Sequence, residues 1–193
     1  NLDTIHKYFS NDEIPVLVQK IYSLFKSKKF QDKYDKLSNI LKYIFQDICK
    51  IDTKKYYILG SFSLRKHRNI NDLDINMDSL EFMKLEKAVQ RGLGRLEFYN
   101  GQIRWIIDLT DEYNQLNSTY EKDFSIEAFM KSPNIGFPNN EFSLNNLKAL
   151  SGLDIDKNGH QYLSLKQLLK WKKIMNRPKD QNDIIMINQL LKK

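Results

Sequence analysis

A chain of 193 residues is long enough to bury one substantial core and short for two independent ones. Its 41% hydrophobic and 28% charged residues are those of an ordinary soluble protein, with no apolar run of membrane-spanning length and no secretory signal visible, so no membrane partner is expected. A single cysteine, Cys49, excludes an intrachain disulfide framework and fits a reducing, cytoplasmic setting, while a net charge of +7 favours anionic partners such as a nucleotide or nucleic acid.

In chain order, Asp12 and Pro15 mark a helix start, and Val18, Ile21, Tyr22 and Phe25 follow as one apolar stripe. A second helix is expected from Asp32 to Lys50, with Tyr34, Leu37, Leu41, Ile44, Phe45 and Ile48 inward. Together they form a helical N-terminal cover, residues 1–52, whose Lys26, Lys28, Lys29 and Lys33 make a basic corner. That corner suits either a solvated helix end or a substrate-binding edge.

Tyr56 to Leu59 is a short apolar and aromatic strand closed by Gly60, a residue that tolerates unusual backbone angles and close approach to the main chain. Ser61 and Ser63 follow with hydroxyls suited to a phosphate seat. Arg65, Lys66, His67 and Arg68 form a cationic run suited either to holding phosphate or to a solvated loop. In Asp72 to Met77 the alternation is strict, so Leu73, Ile75 and Met77 face a core while Asp72, Asp74 and Asn76 share the other face. Two carboxylates so placed repel unless a cation sits between them, which makes the pair a candidate site for a divalent metal.

Asp78 and Glu81 open a helix that runs to Arg91 and ends at Gly92. Asn100-Gly101 between the strands Leu96 to Tyr99 and Ile103 to Asp108 is a strong hairpin signal. Asp108 closes the most apolar run of the chain. If that strand lies beside Asp72 to Met77, Asp108 joins Asp72 and Asp74 as a third acid around one or two Mg²⁺ or Mn²⁺ ions. From Thr110 to Asn140 the sequence is irregular, with Ile126, Phe129 and Met130 expected as one docked helical turn. Asp154, Asp156, Asn158 and Gly159 mimic the start of a calcium loop. Position twelve is Leu165 where a glutamate is required, so a turn followed by the strand His160 to Leu163 is preferred. Ser164 then caps a helix carrying Leu168, Leu169 and Lys172, Pro178 ends it, and a closing helix spans Asp180 to Leu191.

Gly60-Ser61, ten intervening residues, Asp72-Leu73-Asp74 and a later strand ending in Asp108 resemble the signature of the nucleotidyltransferase superfamily, which includes DNA polymerase beta and the aminoglycoside, lincosamide and toxin-type nucleotidyltransferases. The stretch from Ser164 through Lys172 to Arg177-Pro178-Lys179-Asp180 and Asp183 resembles its small members. The resemblance implies one α/β (α+β) domain over residues 1–193, with a mixed, largely antiparallel sheet, the N-terminal helical cover and a C-terminal helical segment, residues 164–193. It implies transfer of an NMP from an NTP, ATP being one such substrate, to a hydroxyl acceptor with release of pyrophosphate. In that scheme Asp72, Asp74 and Asp108 are metal ligands and catalytic groups, Gly60, Ser61 and Ser63 hold the beta and gamma phosphates, and Lys172 offsets charge on the triphosphate. The acceptor, whether small molecule, protein or RNA, is left open. The alternative is a non-catalytic regulatory or nucleic-acid-binding module on the same fold.

Overall fold

The computed structural model describes Lys20 and residues 33–64, 70–117, 123–130 and 141–193. The first expected helix, the basic corner except Lys33, the run from Arg65 to Arg68 and residues 131–140 lie outside that set.

Helix α1, Lys33–Lys42, continues into a π-helical turn, Tyr43–Ile48. Tyr34, Leu37, Leu41, Ile44 and Phe45 are buried along it, the inner face that the apolar spacing predicts. The strands are β1 Tyr56–Leu59, β2 Asp72–Met77, β3 Arg95–Tyr99, β4 Gln102–Asp108, β5 Ser125–Phe129, β6 Leu153–Ile155 and β7 Gln161–Leu163. They form one mixed, largely antiparallel sheet in the order β3-β4-β5-β2-β1-β7-β6. Only the pairings β1 with β7 and β2 with β5 are parallel.

Period-two alternation divides the sheet into two faces. One face gives Tyr56, Ile58, Leu73, Ile75, Met77, Trp105, Ile107, Ile126 and Ala128 to a core closed by α1, by α2, Ser79–Met83, by α3, Glu86–Gln90, and by Tyr113 of α4, Thr110–Asn117. On the other face Tyr57, Leu59 and Leu163 pack with Phe142, Leu147, Leu168, Trp171 and Ile187. Those partners come from the C-terminal helices α5, Leu144–Ala149, α6, Leu165–Met175, and α7, Gln181–Leu190, with Phe142 just ahead of α5. A sheet with helices on both faces needs its inner strands apolar on both sides, and β1 is buried at every position.

The β3-β4 hairpin turns at Asn100 and Gly101, whose φ values of 47° and 76° are the left-handed angles that Asn-Gly accommodates. The expected helical turn at Ile126, Phe129 and Met130 is instead strand β5. The spacing 126, 129, 130 suits a helix as well as a strand, and β5 is a central strand buried on both faces, so the polar alternation that would mark it is muted.

The calcium-like stretch is a turn between β6 and β7, as its missing glutamate predicts. The Asp156 carboxylate accepts hydrogen bonds from the backbone N–H groups of Asn158 and His160, at 2.8 and 2.9 Å, and from the Ser38 hydroxyl of α1 at 2.7 Å. Within the described residues no helix is long and apolar enough to cross a membrane.

Candidate functional site

Strand β1 and the residue that ends it bring the two halves of the sequence signature together. Leu59 pairs with Asp74 across the β1-β2 ladder, and Gly60 follows immediately with φ +75°. A Cβ built on Gly60 lies 3.2 Å from Asp74 Oδ2, so the backbone of the Gly60–Leu64 turn runs close over that carboxylate. Phe62 of the same turn is buried in one core and Leu64 in the other, which pins the turn between the layers. The glycine supplies both the left-handed angle and the clearance.

Asp72 and Asp74 lie two residues apart on β2, on the same side of the sheet, Asp72 exposed and Asp74 partly buried. Parallel pairing sets Asp74 directly opposite Glu127 of β5. Burial, reinforced by the negative charges of Asp72 and Glu127, pushes the Asp74 carboxyl up to about 7, while Lys179 and Arg177 pull it the other way. Asp74 is therefore a carboxyl that holds a proton near neutrality unless a cation replaces it.

The third acid expected from the sequence does not take its place. Strand β4 is not beside β2, because β5 lies between them; Asp108 pairs with Ser125 of β5, which in turn pairs with Asp72. Two inter-strand steps put the Asp108 and Asp72 backbones about 10 Å apart. The Asp108 carboxylate turns instead to the start of α4, accepting from the Thr110 N–H at 3.0 Å and the Thr110 hydroxyl at 2.6 Å, so it acts as a helix cap. Glu127 is the acid that adjoins Asp74. It accepts from Arg104 Nη1 at 2.7 Å, and Arg104 also donates to Glu97 and stacks its guanidinium 3.9 Å from the Tyr99 ring centre. Burial pushes Glu127 up despite that partner. Among the described residues no group of three or more His, Cys, Asp and Glu side chains is gathered to hold a metal ion, so Asp72 and Asp74 form a pair with Glu127 beside it.

Two of the expected phosphate-binding groups are engaged elsewhere. The Ser63 hydroxyl donates to the Leu163 carbonyl of β7 and so ties the turn to the sheet. Lys172, expected to reach the triphosphate, is buried with its ammonium 3.0 Å from Asp180 and 2.7 Å from Asp183. Arg177 adds a second cation on Asp180, with Nε to Oδ2 at 2.6 Å. Burial works to raise the Asp180 carboxyl, but hydrogen bonds from Arg177 and Lys172 outweigh it and hold it below the usual range. Lys172 thus fixes the corner between α6 and α7. The same corner carries Arg177, half-buried, and Lys179, exposed, whose charges bear on Asp74.

The sequence points to Lys179 only through the resemblance of Arg177-Pro178-Lys179-Asp180, and it does not mark Glu127 or Arg104 as site residues. Glu127 left a trace, a lone acid between Ile126 and Ala128 in a five-residue apolar strand, whereas Pro178 marks the corner that carries Lys179 but not what that corner packs against.

The fold and this site define a mixed α/β protein with an acidic pair set under a glycine turn. Comparisons with family models, with curated proteins and with solved structures find no match for the chain.

Proposed function

We propose that the chain is a metal-dependent nucleotidyltransferase that moves an NMP from an NTP to a hydroxyl acceptor with release of pyrophosphate. The observation that carries this reading is the contact of the Gly60 turn with Asp74, because it brings the two parts of the nucleotidyltransferase-like signature, eleven residues apart, onto one spot. Two carboxylates suit Mg²⁺, which is commonly held by one or two protein acids with substrate phosphates and water completing its shell. Mn²⁺ takes the same oxygen ligands. When bound, such an ion neutralises phosphate charge and lowers the pKa of an attacking hydroxyl.

The residues of the chain divide the remaining work. Asp72 and Asp74 would hold the ion. Gly60 and Ser61 present backbone and hydroxyl groups beside Asp74 to the outer phosphates of ATP or another NTP, while Arg177 and Lys179 supply the cations that Lys172 does not. Glu127, held by Arg104, sets the position and field of Asp74 from the neighbouring strand.

Calorimetric titration with Mg²⁺ and NTP, paired with label transfer from α-labelled NTP, tests the reading. The expected result is Mg²⁺-dependent NTP binding that Asp74→Asn weakens at least tenfold, with transfer abolished in Asp72→Asn/Asp74→Asn. NTP affinity indifferent to both Mg²⁺ and Asp74→Asn would overturn it and leave the non-catalytic module.

A further inference from the structure

On the face of β2 that carries Asp72 and Asp74, the next outward position is Asn76, and Asn76 forms part of the floor of a cavity of about 250 Å³. Its lining is Lys55, ahead of β1, Tyr57, Asn76 to Asp78 at the end of β2, and Ser143 to Asn145 with Lys148 from α5. The floor is rigid. The Tyr57 hydroxyl donates to the Phe142 carbonyl at 2.7 Å and accepts from Asn76 Nδ2 at 3.0 Å, which fixes the Asn76 amide. The walls are joined as well, since Lys148 Nζ donates to the Lys54 carbonyl at 2.6 Å and links α5 to the segment that carries Lys55. An ammonium has three protons, and this bond takes one of them.

Two lysines line the cavity against one carboxylate, Asp78, which is occupied in capping the Leu80 N–H at 2.9 Å. The balance is positive, and the other polar groups are amides and a hydroxyl. From Asp74 to Asn76 is about 7 Å along the strand, and from Asp74 to Asp78 about 13 Å. The lining ends at Asn76, so a compound anchored at the lysines has to extend about 7 Å beyond it along β2 to meet the acidic pair.

We infer that this cavity is the acceptor subsite and that it takes a small phosphorylated compound, whose phosphate sits between Lys55 and Lys148 and whose free hydroxyl extends along β2 toward Asp74. This rests on the nucleotidyltransferase reading for the role of acceptor, while phosphate binding in the cavity stands on the cavity alone. In the reaction the acceptor hydroxyl oxygen bonds to the alpha-phosphorus of the NTP, the bond from that phosphorus to the bridging oxygen breaks, pyrophosphate leaves with the electron pair, and the hydroxyl proton passes to solvent or an acid of the site. The cavity volume suits a phosphorylated metabolite rather than a polynucleotide.

Two measurements test the inference independently. In the first, ¹⁵N-labelled protein is titrated with inorganic phosphate, glycerol 3-phosphate and a 5′-phosphorylated oligoribonucleotide. Amide shifts are expected at Asn76, Ser143 and Lys148 with both small phosphates, apart from any at Gly60 and Ser61. Lys55→Gln/Lys148→Gln should weaken them at least fivefold, Asn145→Trp, which fills the cavity from α5, should abolish them, and those with inorganic phosphate, which has no arm to reach the acidic pair, should not depend on the metal-site residues. Shifts confined to Gly60 and Ser61, shifts indifferent to the cavity variants, or cavity shifts with the oligoribonucleotide only, would overturn the inference.

In the second, α-labelled NTP and Mg²⁺ are offered a small-metabolite pool before and after phosphatase treatment. Asp74-dependent labelling should fall at least tenfold with the treated pool, and labelling untouched by phosphatase would overturn the acceptor assignment. Absence of Asp74-dependent labelling in any pool would instead remove the nucleotidyltransferase reading, and with it the acceptor role, while the cavity shifts still decide phosphate binding.

Discussion

Asp74 shows how burial and neighbouring charge tune a single carboxyl. Its pKa, raised to about 7 from 3.8, means that the folded state keeps a proton the unfolded state has already lost. The contribution of Asp74 to stability therefore declines as pH rises from about 4 through 7, and the decline stops once the folded carboxyl has ionised as well. Asp74→Asn removes that charge and is expected to raise the stability of the metal-free protein at pH 8 by on the order of 1–3 kcal/mol. The gain should vanish at pH 4; urea denaturation at the two pH values checks it, and equal effects at both would mean that burial and repulsion are not what strain the site. Gly60 gives the complementary case. Gly60→Ala forces a Cβ into the left-handed region and to 3.2 Å from Asp74 Oδ2. The expected cost is about 1–2 kcal/mol of stability, together with a loss of Mg²⁺-dependent NTP affinity at least as large as that of Ser61→Ala. A Gly60→Ala protein with unchanged stability and unchanged affinity would mean that the turn does not bear on the acid.

At the scale of elements, the corner between α6 and α7 is held by a buried charge cluster, and its members decide what Lys172 does. Side chains of Lys172, Asp180 and Asp183 are each under 5% exposed, so removing the one cation that touches both acids leaves two carboxylates without it in a poorly solvated place. Lys172→Met is expected to cost about 3–5 kcal/mol, read by chemical denaturation, and Lys172→Met/Asp183→Asn should recover part of that loss because one stranded charge is gone. If Lys172→Met folds with full stability and loses only NTP affinity, the corner is not structural and the lysine belongs to the phosphates. The same elements show why the site was only partly legible in the sequence. Alternation in Asp72 to Met77 settles which residues share a face, because it is a local property of a strand. Which strand lies beside it is not local. The order β4-β5-β2 separates Asp108 from Asp72 and brings Glu127 in, and β5 escaped notice because a strand buried on both sides carries little polar alternation. Likewise a lysine one turn after Leu168 is readable as inward-facing, but whether phosphates or Asp180 and Asp183 meet it depends on how α7 folds back.

For the whole molecule, the seam between the helical cover and the far edge of the sheet is polar, and it gives the fold a pH limit of its own. His160 lies buried between Tyr56 on β1 and Ser38 on α1. The Ser38 carbonyl can only accept, so Nε2 carries the proton and donates to it at 3.0 Å, which leaves Nδ1 to accept from the Tyr56 hydroxyl at 2.6 Å. This is the neutral imidazole. Protonating Nδ1 would set two donors against each other unless the Tyr56 hydroxyl turned away. Burial holds the His160 pKa below its ordinary 6.5 and Lys42 adds to the shift, while the Asp156 charge and the bond to Ser38 oppose it. Below about pH 6.5 the unfolded chain therefore binds a proton that the folded chain refuses, so stability present above that pH is lost as pH falls, until the folded imidazole also titrates. Because the Asp156 side chain also holds Ser38 and the turn into β7, the loss acts on the docking of α1 against the sheet. His160→Gln retains hydrogen-bonding capacity but cannot charge. It is expected to lower stability at pH 8 by about 1–3 kcal/mol and to remove the His160 contribution to the slope of stability against pH between 6.5 and 5, leaving the opposite slope that Asp74 supplies. Tyr56→Phe should leave the imidazole free to protonate and so reduce the His160 contribution while costing about 1–2 kcal/mol at pH 8. If wild type and His160→Gln show the same slope of stability against pH between 6.5 and 5, measured by urea denaturation, His160 gains its proton in the folded state as easily as in the unfolded one and the seam does not depend on its neutrality.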